Sequence, residues 1–219
     1  IYKERLREIE LNESMTMDQR KDYIFQRVKK IAVYAASDIP FYSDLYRQFD
    51  VQPCKFHDFN DLKNLPIIKK EDLQKVDIEY RSSNKVDRYL VNTGGSSGKP
   101  LSFYIQQTSV AHEWAHIHKA WSQVGFKQNK LKLVFAGRSN INGPTVYDGV
   151  RHQINANIYL SKEEIADSLL KIYKKTPPEY LHGYPSAIFD FILYLRDSKH
   201  PLVDLIRNNT SGILLGSEM

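Results

Sequence analysis

Eight consecutive residues, Thr93-Gly94-Gly95-Ser96-Ser97-Gly98-Lys99-Pro100, concentrate three glycines, three hydroxyls and one lysine. Such a stretch is equipped to hold phosphate. Glycines let successive backbone N–H groups turn toward one anion without obstruction by Cβ, the hydroxyls add donors, and the lysine supplies a compact positive charge. The phosphate loop of nucleotide hydrolases, G-x-x-x-x-G-K-[ST], is a different arrangement. Thr93 stands where its first glycine belongs, and Pro100 steers Lys99 toward extended backbone instead of a helix start. The plainer alternative for these residues is a flexible hairpin turn, since Gly/Ser turns are common.

A second pattern points to a metal. His112-Glu113-Trp114-Ala115-His116 spells H-E-x-x-H in a stretch of helical spacing, setting two imidazoles on one face with Glu113 as base, as in a zinc protease; His118 stands nearby. The third ligand is missing from its usual places. The next glutamate is Glu163, and Lys119 and Ser122 occupy the positions of the extended H-x-x-G-x-x-H form, so Asp148 or His152 would have to serve. A solvated or partly buried histidine face is the plainer reading. Arg27, Lys29 and Lys30 read as the wet face of an amphipathic helix, and Cys54 as packing. Arg138, between Gly137 and Ser139 after an apolar strand, stands where α/β folds place ligand contacts.

The loop fits [ST]-[SG]-G-[ST]-[ST]-G-x-P, and with it the chain resembles the adenylate-forming superfamily of acyl-CoA synthetases, luciferase and peptide-synthetase adenylation domains. Ile39-Pro40-Phe41-Tyr42-Ser43-Asp44-Leu45-Tyr46, Leu65-Pro66-Ile67-Ile68-Lys69-Lys70-Glu71-Asp72-Leu73, Leu181-His182-Gly183-Tyr184-Pro185-Ser186 and Leu215-Gly216-Ser217-Glu218 are similar to the phenylacetate–CoA ligase branch, which includes the CapK-type capsular polysaccharide biosynthesis proteins. The likeness runs in order along nearly the whole chain.

That resemblance implies a reaction in which a carboxylate attacks the α-phosphate of Mg-ATP, giving an acyl-adenylate and pyrophosphate, after which CoA or another acceptor takes the acyl group. It implies that Thr93, Gly94, Gly95, Ser96, Ser97, Gly98 and Lys99 surround the β- and γ-phosphates, with Lys99 catalytic. Gly216, Ser217 and Glu218 would meet adenine, and Tyr184 and Ser186 would border the carboxylate pocket, with Arg138 as a further substrate contact. ATP and Mg2+ are the implied cofactors, with CoA among the acceptors. A small-molecule carboxylate and a nucleotide are the implied partners, and nucleic acid is not among them. The family's Tyr-Gly-x-Thr-Glu segment, ribose-binding aspartate motif and C-terminal lysine do not occur in these residues. The expectation is therefore an N-terminal piece of the enzyme, inactive alone. A module that binds nucleotide or a partner without catalysis is the alternative of a different class.

These residues need elements to position them. From Met17 to about Ala36 the apolar positions Tyr23, Ile24, Val28, Ile31 and Ala35 recur at helical spacing, and Ser37-Asp38-Ile39-Pro40 ends the run. Between Pro40 and Leu65 aromatic and acidic residues alternate irregularly, and a brief helix is expected at 69–73, the whole forming a helical preamble. Strands at 89–92 and 101–107 flank the Gly/Ser loop, the second alternating Leu101, Phe103 and Ile105 against Ser102, Tyr104 and Gln106. Beyond them the pattern predicts a helix over 110–124, strands at 131–135 and 157–160, and a helix from a Ser161/Glu164 capping box to about Lys175. A strand at 180–182, a helix over 185–196 and a strand at 212–215 follow. Alternating strands and helices imply an α/β fold with a mainly parallel sheet, in two parts: a helical N-terminal region, 1–86, and an ATP-binding core, 87–219.

Composition agrees with a globular chain. Its 219 residues are 42% hydrophobic, enough for a sizeable core, and the net charge of +5 suits a polyanionic ligand without demanding nucleic acid. One cysteine allows no internal disulfide, and charges at Lys3, Glu4 and Arg5 do not fit a secretory leader, so the cytoplasm is expected.

Overall fold

The computed structural model describes residues 1–93, 99–137 and 141–216. The chain divides into two compact units, Ile1–His116 and Ile117–Met219.

The first unit opens with α1 (Tyr2–Glu13) and α2 (Met17–Asp38). Thr16 caps α2 through a reciprocal box with Gln19, so two backbone donors at its start are satisfied. Extended Ile39 ends it, and Pro40 then opens α3 (Pro40–Gln48), because a proline disfavours helix in the residue before it and suits a first helical turn. Ile9, Phe25, Ala32, Ala35, Tyr46 and Phe56 are among the buried apolar positions of this region. Two of the supposedly wet basic residues are engaged: Arg27 pairs with Glu8, and Lys29 Nζ donates to the Phe56 carbonyl at 2.6 Å. After two 3₁₀ turns come α4 (Lys70–Gln74) and an antiparallel hairpin, β1 (Arg88–Asn92) and β2 (Ser102–Gln106), paired from Arg88↔Gln106 to Asn92↔Ser102. Helix α5 (Ser109–Ser122) carries the boundary between the units.

The second unit is a five-stranded sheet with β3 (Lys132–Phe135), β4 (Thr145–Asp148), β5 (Gln153–Ala156), β6 (Tyr180–Gly183) and β7 (Gly212–Leu215) in the order β4-β5-β3-β6-β7. All neighbours are parallel except β4 and β5. Leu133, Phe135, Ile154 and Leu181 pack against α6 (Lys162–Tyr173), α7 (Pro185–Asp197) and α8 (Leu202–Asn209) through Leu169, Phe191, Leu195 and Leu202. Each such side chain, removed from water, contributes about 1.5–3 kcal/mol. A smaller cluster of Phe126, Tyr180 and Leu214 is joined by Trp121.

The expected strand at 157–160 is corrected: the strand lies four places earlier, at Gln153–Ala156. Residues 157–160 form a turn in which the Leu160 amide donates to the Asn157 carbonyl, and Ser161 then caps α6 with Glu164 as expected. The strand escapes hydropathy reading because Gln153 and Asn155 are buried, satisfied by a 2.8 Å bond from Gln153 Nε2 to Asn155 Oδ1. Among the described residues no helix is long and apolar enough to cross a membrane.

Candidate functional site

In the first unit, the β1–β2 hairpin supplies the stem of the Gly/Ser loop. Its strand pairing ends at Asn92↔Ser102, and the next residues close the stem by a different route. The Thr93 amide donates to the Leu101 carbonyl at 3.0 Å, and the Leu101 amide donates to Thr93 Oγ1 at 2.9 Å. Ser102 Oγ adds a 2.7 Å bond to Asn92 Oδ1. The Thr93 amide is therefore spent on the stem and not offered to an anion, whereas its hydroxyl, accepting from Leu101, keeps its own proton to donate. Lys99 is exposed and its carbonyl accepts from Gln74 Nε2 at 2.8 Å. Lys99 is followed by strand β2, so the lysine does not open a helix. Gly94, Gly95, Ser96, Ser97 and Gly98 lie outside the described residues.

In the second unit, the carboxyl ends of β3, β6 and β7 are joined by backbone bonds. The Tyr184 amide donates to the Phe135 carbonyl at 3.1 Å and the Gly216 amide to the Gly183 carbonyl at 2.8 Å. The approach at Gly183 demands glycine: its φ is +148°, and a Cβ there would stand 2.0 Å from the Phe135 oxygen. After β3 the chain runs to β4 and β5 on one side of β3 in the strand order, and after β6 it runs through α7 and α8 to β7 on the opposite side. This is a topological switch point, where open α/β sheets hold their ligands. Gly137, Tyr184 and Gly216 line it. A Cβ on Gly137 would meet Tyr159 Oη at 3.0 Å and Tyr184 Cε2 at 3.7 Å, so both tyrosines border the backbone just before Arg138. Ser186 is exposed in the first turn of α7, two residues after Tyr184. Arg138, Ser217 and Glu218 lie outside the described residues. Sequence reading missed Tyr159; its signal was its place in the turn that follows a strand of the same sheet.

Comparison with known proteins sets these features in context. No protein-family model matches the chain. It is 25% identical over 181 residues to protein CapK of Staphylococcus aureus, a match covering 79% of this chain and 40% of CapK. Two solved structures of 2-hydroxyisobutyryl-CoA ligase are similar. One, in complex with 2-HIB-AMP and CoA in the thioesterification state, gives a TM-score of 0.63 at 19% identity over 93% of this chain and 44% of that one. The other, an open conformation with the same ligands, gives 0.64 at 18% identity over 94% and 49%. The fold is that of the N-terminal portion of an adenylate-forming enzyme. At these identities the likeness to the two ligases is one of fold. The chain spans less than half the length of each of these relatives.

Within this adenylate-forming fold the H-E-x-x-H pattern takes another part. His112, Glu113 and His116 lie on α5 as expected, but Arg5 Nε donates to His116 Nε2 at 3.2 Å. Among the described residues no group of three His, Cys, Asp or Glu side chains is placed to hold a metal. The geometry gives the zinc-protease reading no support.

A polar cluster on the adenylate-forming sheet went unread in the sequence. Lys132 is buried at 2% exposure, donates to the Arg151 carbonyl at 2.9 Å, and lies 5.2 Å from the Phe126 ring centre and 5.9 Å from that of Trp121. Burial holds its pKa below that of an ordinary lysine. His118 is likewise lowered by burial and, secondarily, by Lys132. His182 Nδ1 donates to the Leu214 carbonyl at 2.6 Å, with its ring 4.8 Å from Trp121. Lys132 begins β3, at the strand end opposite the switch point, so it braces the sheet and does not line the candidate site.

Proposed function

We propose that the chain supplies the phosphate- and nucleotide-binding portion of an ATP-dependent ligase that activates a carboxylic acid as its acyl-adenylate. The observation that carries the reading is the switch point: Tyr184 and Gly216, both marked in the sequence, are tied by backbone bonds to Phe135 and Gly183 at the carboxyl edge of a parallel sheet. The superfamily likeness supplies the reaction class, and both ligase structures are described with an acyl-AMP and CoA.

In the proposed reaction a carboxylate oxygen attacks the α-phosphorus of MgATP, brought in as a substrate. The bond from that phosphorus to the bridging oxygen of the β-phosphate breaks, and pyrophosphate leaves with its electron pair. Thr93 to Lys99 take the β- and γ-phosphates. Their backbone amides beyond Thr93, their hydroxyls and the Lys99 ammonium neutralise the charge that grows on the departing group, the kind of preorganised stabilisation that dominates such chemistry. Gly216, Ser217 and Glu218 meet adenine. Tyr184, Ser186 and Arg138 border the acid. CoA or another nucleophile then accepts the acyl group, and a place in capsular polysaccharide synthesis is the association that CapK suggests. This activity is proposed for the protein as its gene encodes it, with the present residues furnishing one side of the site.

ATP–pyrophosphate exchange by that intact protein, with a panel of aryl and aliphatic acids and with Lys99→Ala and Gly98→Val variants, tests the proposal. Acid-dependent exchange lost in both variants is expected. Absence of exchange with a broad panel, in a folded protein, favours a binding module that kept the fold.

A further inference from the structure

The hairpin ladder stops at Asn92↔Ser102, leaving the carbonyls of Lys99 and Pro100 to water or to side-chain donors. Both find one in a single side chain. Gln74, the last residue of α4, directs its Nε2 to the Lys99 carbonyl at 2.8 Å and to the Pro100 carbonyl at 3.3 Å. A glutamine amide nitrogen carries two protons, one for each oxygen, and two facing acceptors fix which end of the amide points at them. The same segment grips the next stretch of backbone, where Arg81 Nη2 donates to the Ser102 carbonyl at 2.6 Å. Three successive attachments thus fasten the exit of the loop, while its entrance is held by the Thr93–Leu101 pair.

We infer that Gln74 is a positioning residue that holds the Lys99–Pro100 backbone, and with it sets where the Lys99 side chain meets phosphate. It touches backbone only, leaving the Lys99 side chain for the ligand. The inference rests on the proposed role of the loop and adds what sets it. A lysine whose backbone is held before the nucleotide arrives loses less conformational freedom on binding, so the clamp favours MgATP affinity in particular. The sequence gives no hint of it: a glutamine ending a charged five-residue helix reads as surface, and only the fold brings it against residues 25 and 26 positions away.

The test uses the intact protein with Gln74→Met, which keeps length and removes the donors, and Gln74→Glu, which sets a carboxylate against two carbonyl oxygens. In ATP–pyrophosphate exchange the Met variant should raise KM for MgATP on the order of tenfold, and the Glu variant further, from the loss of two hydrogen bonds. kcat, KM for the acid and the melting temperature should stay near wild type. An unchanged KM for MgATP, or a common decline of all four quantities, overturns the inference. If wild-type protein exchanges with no acid, the functional proposal fails separately. Amide hydrogen exchange at Thr93 and Leu101 then decides: faster exchange in Gln74→Met upholds the clamp, and identical rates reject it.

Discussion

Gly183 and the Phe135 carbonyl are so close that a Cβ at position 183 would stand 2.0 Å from that oxygen, with backbone and not a yielding side chain as the obstacle. This contact brings the ends of β3 and β6 together and aims the Tyr184 amide at the same oxygen. Gly183→Ala must therefore pull the strands apart or change φ from +148°, and it should cost about 3 kcal/mol or more. Gly216→Ala is the control, since its Cβ would find nothing nearer than the Gly183 oxygen at 3.6 Å; it should stay within about 0.5 kcal/mol of wild type. Urea denaturation of both variants checks the contrast, and equal midpoints would refute it.

The Thr93 hydroxyl serves the stem as acceptor before it can serve a phosphate as donor. Thr93→Val keeps the shape and strands the Leu101 amide, at a local cost of about 1–2 kcal/mol, whereas Thr93→Ser keeps the oxygen. Leu101 amide exchange should accelerate in the valine variant alone. Acid-dependent pyrophosphate exchange should fall in the same variant and largely survive in the serine one.

Which parts were legible follows from how each residue advertises itself. The two strands flanking the Gly/Ser residues were readable because Leu101, Phe103 and Ile105 alternate openly. The Ser161/Glu164 box named the start of α6 without help from the core. Strand β5 was hidden because its buried face includes Gln153 and Asn155, whose polarity is cancelled only by their mutual bond. Strand β4 was hidden as a short edge strand with Val146 and Tyr147 exposed. Helices α1, α3 and α8 lacked a long apolar stripe, and their burial is confined to single sites such as Ile9 and Tyr46 or to the pair Leu202 and Ile206. At the candidate site, Tyr184 and Gly216 were marked by resemblance, whereas Tyr159 and Gln74 meet partners distant in sequence that only the fold brings near.

Tyr173, 3% exposed at the end of α6, has a hydroxyl that finds no hydrogen-bond partner among the described residues. A buried hydroxyl left unpaired costs folding energy, and burial also pushes its pKa well above an ordinary tyrosine's. Tyr173→Phe deletes the unpaired oxygen and keeps the ring in the core. It should stabilise the protein by about 1 kcal/mol, seen as a higher urea midpoint with unchanged slope. A loss of stability would mean that the hydroxyl has a partner in solution.

The histidine beside the buried lysine makes stability depend on acidity. His118 is held below its ordinary pKa of 6.5 first by burial and second by the Lys132 charge, and Gln128 Nε2 stands 3.2 Å from its Nδ1. The unfolded chain therefore takes up this proton more readily than the folded one. Stability is fully present above about pH 6.5 and is lost as pH falls through the lowered folded-state value. His118→Phe keeps a ring against Trp121 and Phe126 while removing the titration. Urea midpoints between about pH 5 and pH 7 should decline with acid in wild type and do so less steeply in the variant. Parallel slopes would assign the acid sensitivity in that range to groups other than His118. Glu8 is acid-sensitive too, its carboxyl held low by the Tyr23 hydroxyl and by Arg5 and Arg27. Its window lies lower, where carboxylates titrate, so the two contributions separate along the pH axis.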